Sequence, residues 1–476
     1  MYYFGTDGIR GKSTDIENSN IAEILGYVLS KNCKKVIVGR DVRDSSSNLE
    51  KQLCRGLLRG DIDIYVTGVL PTPALSYIAK LLDVDFAIMI TASHNTPEYN
   101  GFKVFGKGGK QLNLVEEEAI DQKLDCAIEE HLTRQKSLPI SAKTALKPFL
   151  PHEIIPDFSV SSEIAADNDT DLQPFQSNFL PSLAQNFAKS KIHVFEGASF
   201  CYKKHILASF PRFDGVKVHL DCAYGCFAEF AEDIFSSLGA IVTAENNIRD
   251  SNKINVGCGS TCINSFLPLV KKDEIGFAFD GDGDRVIAVV DGKIYDGDAM
   301  LLALSTIYRL RGKLNNRFLV GTILSNSRLE RELAKFCTAF LRADVGDKFI
   351  ADTLKKHNCT LGGEKNGHIL MLDKSETCDG LITALSLLEA RKIIGTLPKF
   401  SPFPMREFNV CALDPKTTAD GDDFKAKTET AKKIVGSKGR IVIRPSGTEP
   451  CIRVAVEYFS KNHGDVFSAI QQLFCS

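Results

Sequence analysis

The chain has 476 residues, and its 58 basic and 60 acidic side chains leave a formal net charge of −2. That balance excludes a general nucleic-acid or membrane-surface binder, which needs a net basic face. Hydrophobic and charged contents of 43% and 25% predict a soluble globular protein, and at about 150 residues per domain the length predicts three or four domains.

The amino terminus, MYYFGTDGIRGK, carries no apolar stretch flanked by basic residues, so no signal peptide is expected. Within it, FGTDGIRG sets Thr6, Asp7 and Arg10 in a glycine-bearing loop. No apolar run approaches the ~20 residues of a membrane helix. The 14 cysteines are scattered without a CxxC pair, which predicts reduced thiols and a cytoplasmic location. Cys258, Cys262 and Cys378 do not have the pattern of a zinc set.

Lys35–Gly39 reads as a strand, followed by polar RDVRDSSS, a helix to Arg59 and a second strand at Asp63–Val66. The apolar run Phe86–Ile90 leads into TASHNTPEYNGFKVF, which presents Ser93, His94 and Asn95 side by side, then Asn100-Gly101, a turn-forming pair, and Lys103. No GxSxG motif surrounds Ser93. An unmodified serine there is an ordinary turn or cap residue. A phosphorylated one could lend oxygens to a metal and pass its phosphoryl group on. Lys103 is then a candidate proton carrier or charge clamp. From Arg134 to Ser190 the chain is rich in Ser, Pro, Asp and Asn and reads as a flexible insertion.

Val216–Leu220 opens a second copy of the first pattern, with loop DCAYGC, helix FAEFAEDIFSSLG and strand AIVTAE. Further on, FAFDGDGDRVIAVV alternates Asp280, Asp282 and Asp284 with glycines between two apolar strands. Glycine allows the tight turn that brings three carboxylates together. Three clustered anions demand a cation, and all-oxygen ligation favours Mg²⁺ over zinc. An EF-hand is excluded, because its sixth and twelfth positions, Gly and Glu in that motif, are Arg285 and Asp291 here. A third copy begins at Phe318, with loop GTILSNS, helix RLERELAKFC and strand TAFLRAD. Strand, polar loop, amphipathic helix and strand is the βαβ signature. The loop GGEKNGH offers Glu364, Asn366 and His368 to sugar hydroxyls. Pro398, Pro402 and Pro404 form a linker to a small α+β domain. There, RIVIRPSGTEPCIRVAVE places Arg444, Ser446, Gly447 and Thr448 in one turn, with Arg453 close by, a composition suited to phosphate.

FGTDGIRG, TASHN with NG and Lys103 after it, FDGDGDR, VGDK, GGE followed by GH, and RPSGTEP resemble, in this order, the motifs of the α-D-phosphohexomutase superfamily. Within it the chain is most similar to the bacterial phosphoglucosamine mutase branch; PEYNGFK is also similar to the phosphomannomutase/phosphoglucomutase branch. The resemblance spans the chain except the insertion. It implies an α/β fold with three related mixed-sheet domains and a smaller α+β domain around a central cleft. Domain boundaries are set at 1–140, 191–295, 296–398 and 399–476, with 141–190 as the insertion. It also implies that Ser93 carries the phosphoryl group, that Ser93, Asp280, Asp282 and Asp284 hold Mg²⁺, and that Arg285 steadies the phosphoserine. Arg10 and Lys103 match positions of proton transfer, and His94 and Asn95 shape the catalytic loop. Thr6, Glu364, Asn366 and His368 would touch the sugar phosphate, and Arg444, Ser446, Gly447, Thr448 and Arg453 would grip the non-reacting phosphate. The implied reaction converts glucosamine 6-phosphate and glucosamine 1-phosphate through a bisphosphorylated sugar, on the route to UDP-N-acetylglucosamine and cell wall; mannose or glucose phosphates are the alternative. A homodimer is a candidate assembly. Three positions depart from the family pattern: Asn366 stands for serine, Tyr224 for asparagine and Cys378 for glycine. Two other classes compete, an aspartyl-phosphate enzyme using Asp280 as nucleophile and a catalytically silent sugar-phosphate sensor; the Gly-Asp-Arg continuation disfavours the first.

Overall fold

The computed structural model describes residues 3–5, 7–137, 192–314, 317–446, 450–460 and 464–475. The expected insertion at 141–190, and Thr6, Gly447 and Thr448, lie outside the described residues.

The first sheet contains β1 (Ile9–Lys12), β2 (Lys35–Arg40), β3 (Asp63–Val69), β4 (Phe86–Ile90), β5 (Tyr99–Phe105) and β6 (Ile192–Val194), ordered β1-β5-β4-β2-β3-β6. The second has β7 (Lys217–Asp221), β8 (Ile241–Glu245), β9 (Ile275–Phe279), β10 (Val286–Val290) and β11 (Lys293–Tyr295), ordered β11-β10-β9-β7-β8. The third has β12 (Phe318–Thr322), β13 (Ala339–Ala343), β14 (Leu361–Gly363) and β15 (Ile369–Met371), ordered β13-β12-β14-β15. One four-strand unit underlies all three. Its first strand pairs in parallel with the second and third (β2 with β3 and β4, β7 with β8 and β9, β12 with β13 and β14), and the fourth returns antiparallel to the third. The hairpin between third and fourth strands thus occupies the same place three times, at the carboxyl end of a parallel strand, where α/β sheets bind ligands.

Local sequence explains these elements. β9 and β10 are buried at every position, as expected of strands covered on both faces. The helix Asp44–Leu57 buries Leu49, Leu53 and Leu57 on one stripe, the 3.6-residue spacing of an amphipathic helix. Two expectations are corrected. Asn100-Gly101 is not a turn but lies inside β5, paired with β1. Gly101 is needed because a Cβ there would fall 2.0 Å from the Ile9 carbonyl oxygen. The boundary at 191 assigns β6 to the second domain, yet β6 pairs in parallel with β3, and Ile192 is buried in the first domain's core.

One apolar cluster runs through the first three domains, from Ile37 and Leu75 through Tyr202, Phe227 and Phe277 to Leu301 and Leu385. The last domain, with β16 (Met405–Cys411), β17 (Gly439–Pro445) and β18 (Cys451–Tyr458) ordered β16-β18-β17, keeps its own core around Phe424, Ile452, Val456 and Ile470. Among the described residues no helix is long and apolar enough to cross a membrane.

Candidate active site

The three equivalent hairpins meet. Ser93 lies just beyond β4 at φ +50°, a region sparsely populated for any residue with a side chain, and it is buried. Its amide donates to Thr91 Oγ1 at 2.8 Å, and Thr91 donates in turn to Asp41 Oδ2 at 2.8 Å. The Ser93 hydroxyl donates to Asp280 Oδ2 at 2.9 Å, joining the first hairpin to the second.

Asp280, Asp282 and Asp284 are all buried, and one oxygen of each lies within 4.8 Å of the others. Asp280 Oδ1 accepts the amides of Gly283 and Arg285, both at 3.1 Å. Asp282 Oδ2 accepts from Thr72 Oγ1 at 2.7 Å, and the Thr72 amide donates to the Asp282 carbonyl at 2.9 Å. Asp282 Oδ1 is buried with no hydrogen-bond partner. Burial, reinforced by the carboxylates of Asp284 and Asp282, pushes the Asp280 carboxyl well above its ordinary range. An all-oxygen set with an orphaned carboxylate oxygen fits a hard divalent cation.

Lys103, on β5, extends into this cluster. Its ammonium pairs with Asp284, lies 3.0 Å from Asp282 Oδ2 and reaches Asp7 Oδ1 at 3.3 Å. Burial alone favours the neutral amine, but Asp282, Asp284 and Asp7 overcome it and hold the lysine charged well beyond its usual pKa. Arg10 pairs with the same Asp7 and donates to Asn95 Oδ1 at 3.3 Å. For His94, burial followed by the nearby Arg285 and Arg10 pushes the pKa down to about 2, which leaves a neutral imidazole.

The third hairpin closes against the second. Arg285 and His368 form a backbone bridge, and the Val286 amide donates to the Gly367 carbonyl at 3.3 Å. His368 Nδ1 lies 3.0 Å from Glu364 Oε2 and its Nε2 lies 3.1 Å from Asp284 Oδ1. Burial and Arg285 push its pKa down, but the carboxylates on both ring nitrogens outweigh them and raise it to about 10. Arg285 Nε lies 3.0 Å from the same Nε2, so Asp284 and Arg285 both converge on that ring nitrogen. Glu364 Oε1 accepts the Gly346 amide at 2.9 Å. Asn366 folds back on the loop, its Nδ2 donating to Glu364 at 3.2 Å and its Oδ1 accepting the His368 amide at 3.2 Å.

In the last domain Arg444 and Arg453 face each other across β17 and β18. Burial and then the Arg453 charge push the Arg444 pKa down, while Glu364 and Glu407 pull it up. Like charges directly opposite on a sheet repel, so this pair is suited to an anion. Ser446 donates its amide to the Cys451 carbonyl at 2.9 Å.

The sequence motifs therefore converge: Ser93, Lys103, Arg10, His94, the three aspartates and Arg285 share one center with Glu364, Asn366 and His368. Sequence reasoning missed Asp41, Arg43, Thr72 and Asn255, which position the loops, and left Asp7 without a role. Asp41 and Arg43 stood in the polar RDVRDSSS segment and Thr72 between two prolines; Asn255 carries no signal in the sequence. Of the three departures, Tyr224 sits at φ +54°, with Lys253 over its ring. Cys378 is buried in an apolar cluster of the third domain.

Models of the phosphoglucomutase/phosphomannomutase family match the chain at residues 1–130 (alpha/beta/alpha domain I), 296–396 (alpha/beta/alpha domain III) and 407–465 (C-terminal domain). A phosphoglucosamine mutase of Leifsonia xyli subsp. xyli is 31% identical over 478 residues, covering 95% of this chain and 94% of its own. One of Thermotoga maritima is 33% identical over 480 residues, covering 99% and 98%. Among solved structures, a phosphoglucomutase/phosphomannomutase family protein from Burkholderia thailandensis superposes with a TM-score of 0.72 at 21% identity, covering 99% of this chain and 96% of that one. An Aspergillus fumigatus N-acetylphosphoglucosamine mutase, solved with GlcNAc-6P and magnesium, superposes with a TM-score of 0.62 at 14% identity, covering 99% and 95%. The serine and the aspartates on equivalent hairpins of the first two domains thus agree with near-full-length likeness to curated relatives: the chain belongs to the α-D-phosphohexomutase superfamily, with the bacterial phosphoglucosamine mutases.

Proposed function

We propose that this enzyme interconverts glucosamine 6-phosphate and glucosamine 1-phosphate through phosphorylated Ser93 and a bisphosphorylated sugar. The observation that carries this reading is the 2.9 Å contact between Ser93 Oγ and Asp280 inside a cluster of three buried carboxylates. A hydroxyl so placed has no base of the Ser-His kind beside it, but its phosphate ester would lie against the cluster.

Asp280, Asp282 and Asp284, with the Ser93 oxygen, would hold Mg²⁺. Once bound, the cation supplies positive charge to the phosphoryl oxygens during transfer. The P–O bond to Ser93 breaks as one forms to the free sugar hydroxyl, and the proton that hydroxyl gives up balances the one the serine oxygen recovers. Lys103 and Arg10 converge on Asp7, so the two groups expected to handle that proton share one carboxylate, and the charged Lys103 also offsets negative charge in the transfer. Glu364 and His368 face the sugar, while Arg444 and Arg453 hold the phosphate that stays. A bisphosphate that turns over presents either end to those arginines, and guanidinium forks recognise phosphate without reading what it is attached to.

The test is a coupled mutase assay on glucosamine, N-acetylglucosamine, glucose and mannose phosphates, with peptide mapping of Ser93. Turnover is expected to favour glucosamine phosphates, to stop on chelation and to return with Mg²⁺. A preference for mannose or glucose phosphates would reassign the substrate, and hydroxylamine-labile phosphate on Asp280 would defeat the mechanism.

A further inference from the structure

We propose that Arg43 and Asn255 are paired positioning residues, one from each of the first two domains, that clamp the backbone of the Ser93 loop and so aim the Ser93 oxygen at the aspartate cluster. The proposal rests on the phosphoserine reading above.

The clamp is a shared set of carbonyls. The buried Arg43 guanidinium donates to the carbonyls of Ser93 (3.1 Å), Asn95 (2.6 Å) and Tyr99 (3.0 Å), and also to that of Thr96. Asn255 Nδ2 donates to two of the same oxygens, Ser93 at 2.8 Å and Asn95 at 3.0 Å. The Ser93 carbonyl therefore accepts from both domains at once. Neither side chain bonds the Ser93 hydroxyl, so any effect on chemistry must pass through the backbone. That backbone needs holding, because Ser93 sits at φ +50°, where a residue with a Cβ rests only if its surroundings fix it.

Each half of the clamp is itself braced. Arg43 Nε donates to Asp41 Oδ2 at 2.9 Å, so its charge is neutralised in place, and Asp41 also receives the Thr91 hydroxyl that orients the Ser93 amide. Asn255 donates its own amide to the Ala223 carbonyl at 3.1 Å. Its loop is closed by Gly259, whose amide donates to Asp221 Oδ2 at 2.7 Å. Asp221 ends β7 much as Asp41 follows β2, so the two repeats use one device to brace the two jaws. The braced donors keep the register between the serine-bearing and metal-bearing hairpins, and phosphoryl transfer depends on that register.

Three variants of the full-length chain test this: Asn255→Ala, Asn255→Asp and Arg43→Lys. Steady-state kcat and KM would be measured with the preferred sugar phosphate. The rate at which a hexose 1,6-bisphosphate phosphorylates Ser93 would be followed by mass spectrometry, alongside thermal unfolding. Misplacing a reacting group by about 1 Å costs on the order of 100-fold in rate. Asn255→Ala is therefore expected to lower kcat by roughly 10- to 100-fold and Ser93 phosphorylation by the same factor, with KM changed less than about twofold. Asn255→Asp should be slower still, since a carboxylate then faces two carbonyl oxygens. Arg43→Lys keeps the charge beside Asp41 but lacks the fork, and it tests the other jaw should Asn255→Ala fold poorly. Folded variants with wild-type kcat overturn the proposal, as does a rate loss that disappears once activity is normalised to folded protein. A wild-type chain that never acquires phosphate on Ser93 defeats the functional reading itself, an outcome seen before any variant is compared.

Discussion

The oxygen of Ser93 is held by residues that each meet a separate need: Asp280 receives its hydrogen, Thr91 orients its amide and the buried cluster excludes water. Replacing it by alanine removes the phosphoryl acceptor and its contact with Asp280, and leaves the groups that face the sugar phosphate in place. Ser93→Ala is expected to lose turnover by at least about 1000-fold, while sugar-phosphate binding, followed by calorimetry, persists; near-normal turnover would remove Ser93 from the mechanism. A second residue-scale case lies far from that center. Glu50 is 3% exposed, and burial raises its carboxyl pKa to about 7, against the pull of Arg40. A carboxyl raised in this way favours the folded state below its unfolded pKa of ~4.3, and the advantage is lost as pH climbs toward 7. Glu50→Gln should therefore leave stability unchanged near pH 4 and raise it at pH 8 by about 1–3 kcal/mol. Denaturant unfolding at the two pH values measures the difference, and an equal effect at both would show that Glu50 does not titrate as buried.

At the scale of elements, one repeated hairpin supplies the serine, the aspartates and the loop of Glu364, Asn366 and His368, so a single topological position carries three different sets of side chains. The glycines of the aspartate loop show how tightly that position is built. Gly283 stands at φ +77°, and a Cβ there would lie 2.5 Å from the Phe227 ring, whereas Gly292, at φ +70°, has nothing within 4 Å. Gly283→Ala is expected to cost about 2–4 kcal/mol through backbone strain and overpacking together, and Gly292→Ala only about 1–2 kcal/mol from the backbone. Equal losses in denaturant unfolding would mean that the Phe227 contact does not confine the loop. The same contrast explains what was legible in the sequence. Asp280, Asp282 and Asp284 were legible because converging carboxylates need a rare residue pattern, and the strand-helix-strand repeats because their apolar periodicity is local. Asn100-Gly101 was misread, since the local turn signal says nothing of Ile9 pressing on Gly101 across the sheet. Arg43, Thr72 and Asn255 were invisible because a side chain that donates to a distant carbonyl or carboxylate needs no characteristic spacing, and β6 because its partner strand is remote in sequence.

At the scale of the whole molecule, three domains share an apolar cluster while the fourth is attached through polar groups. Glu457 receives the Ser327 amide and hydroxyl at 2.7 Å each and Arg440 Nε at 3.1 Å, and Arg440 also donates to the carbonyls of Ile323 at 2.7 Å and Ser325 at 2.9 Å. Arg331 stacks on Phe403 and Phe459 beside this joint. Arg440 pairs with Glu457 across β17 and β18, and four residues further along the same strands Arg444 pairs with Arg453. At about 3.3 Å per residue the joint lies roughly 13 Å from the arginines that would grip phosphate, so it acts as the base of a lever. Loosening the base should scatter the arginines without touching the Ser93 center. Glu457→Ala is therefore expected to raise KM about tenfold, equivalent to ~1.4 kcal/mol of lost binding, and to change kcat far less. Because the retained phosphate is on carbon 6 in one direction and on carbon 1 in the other, the increase should be the same for the two sugar phosphates. Steady-state kinetics in both directions decide it: a KM that rises for only one of them would mean that the last domain distinguishes the ends of the sugar, and turnover through a bisphosphate that reverses in the cleft would no longer describe this enzyme.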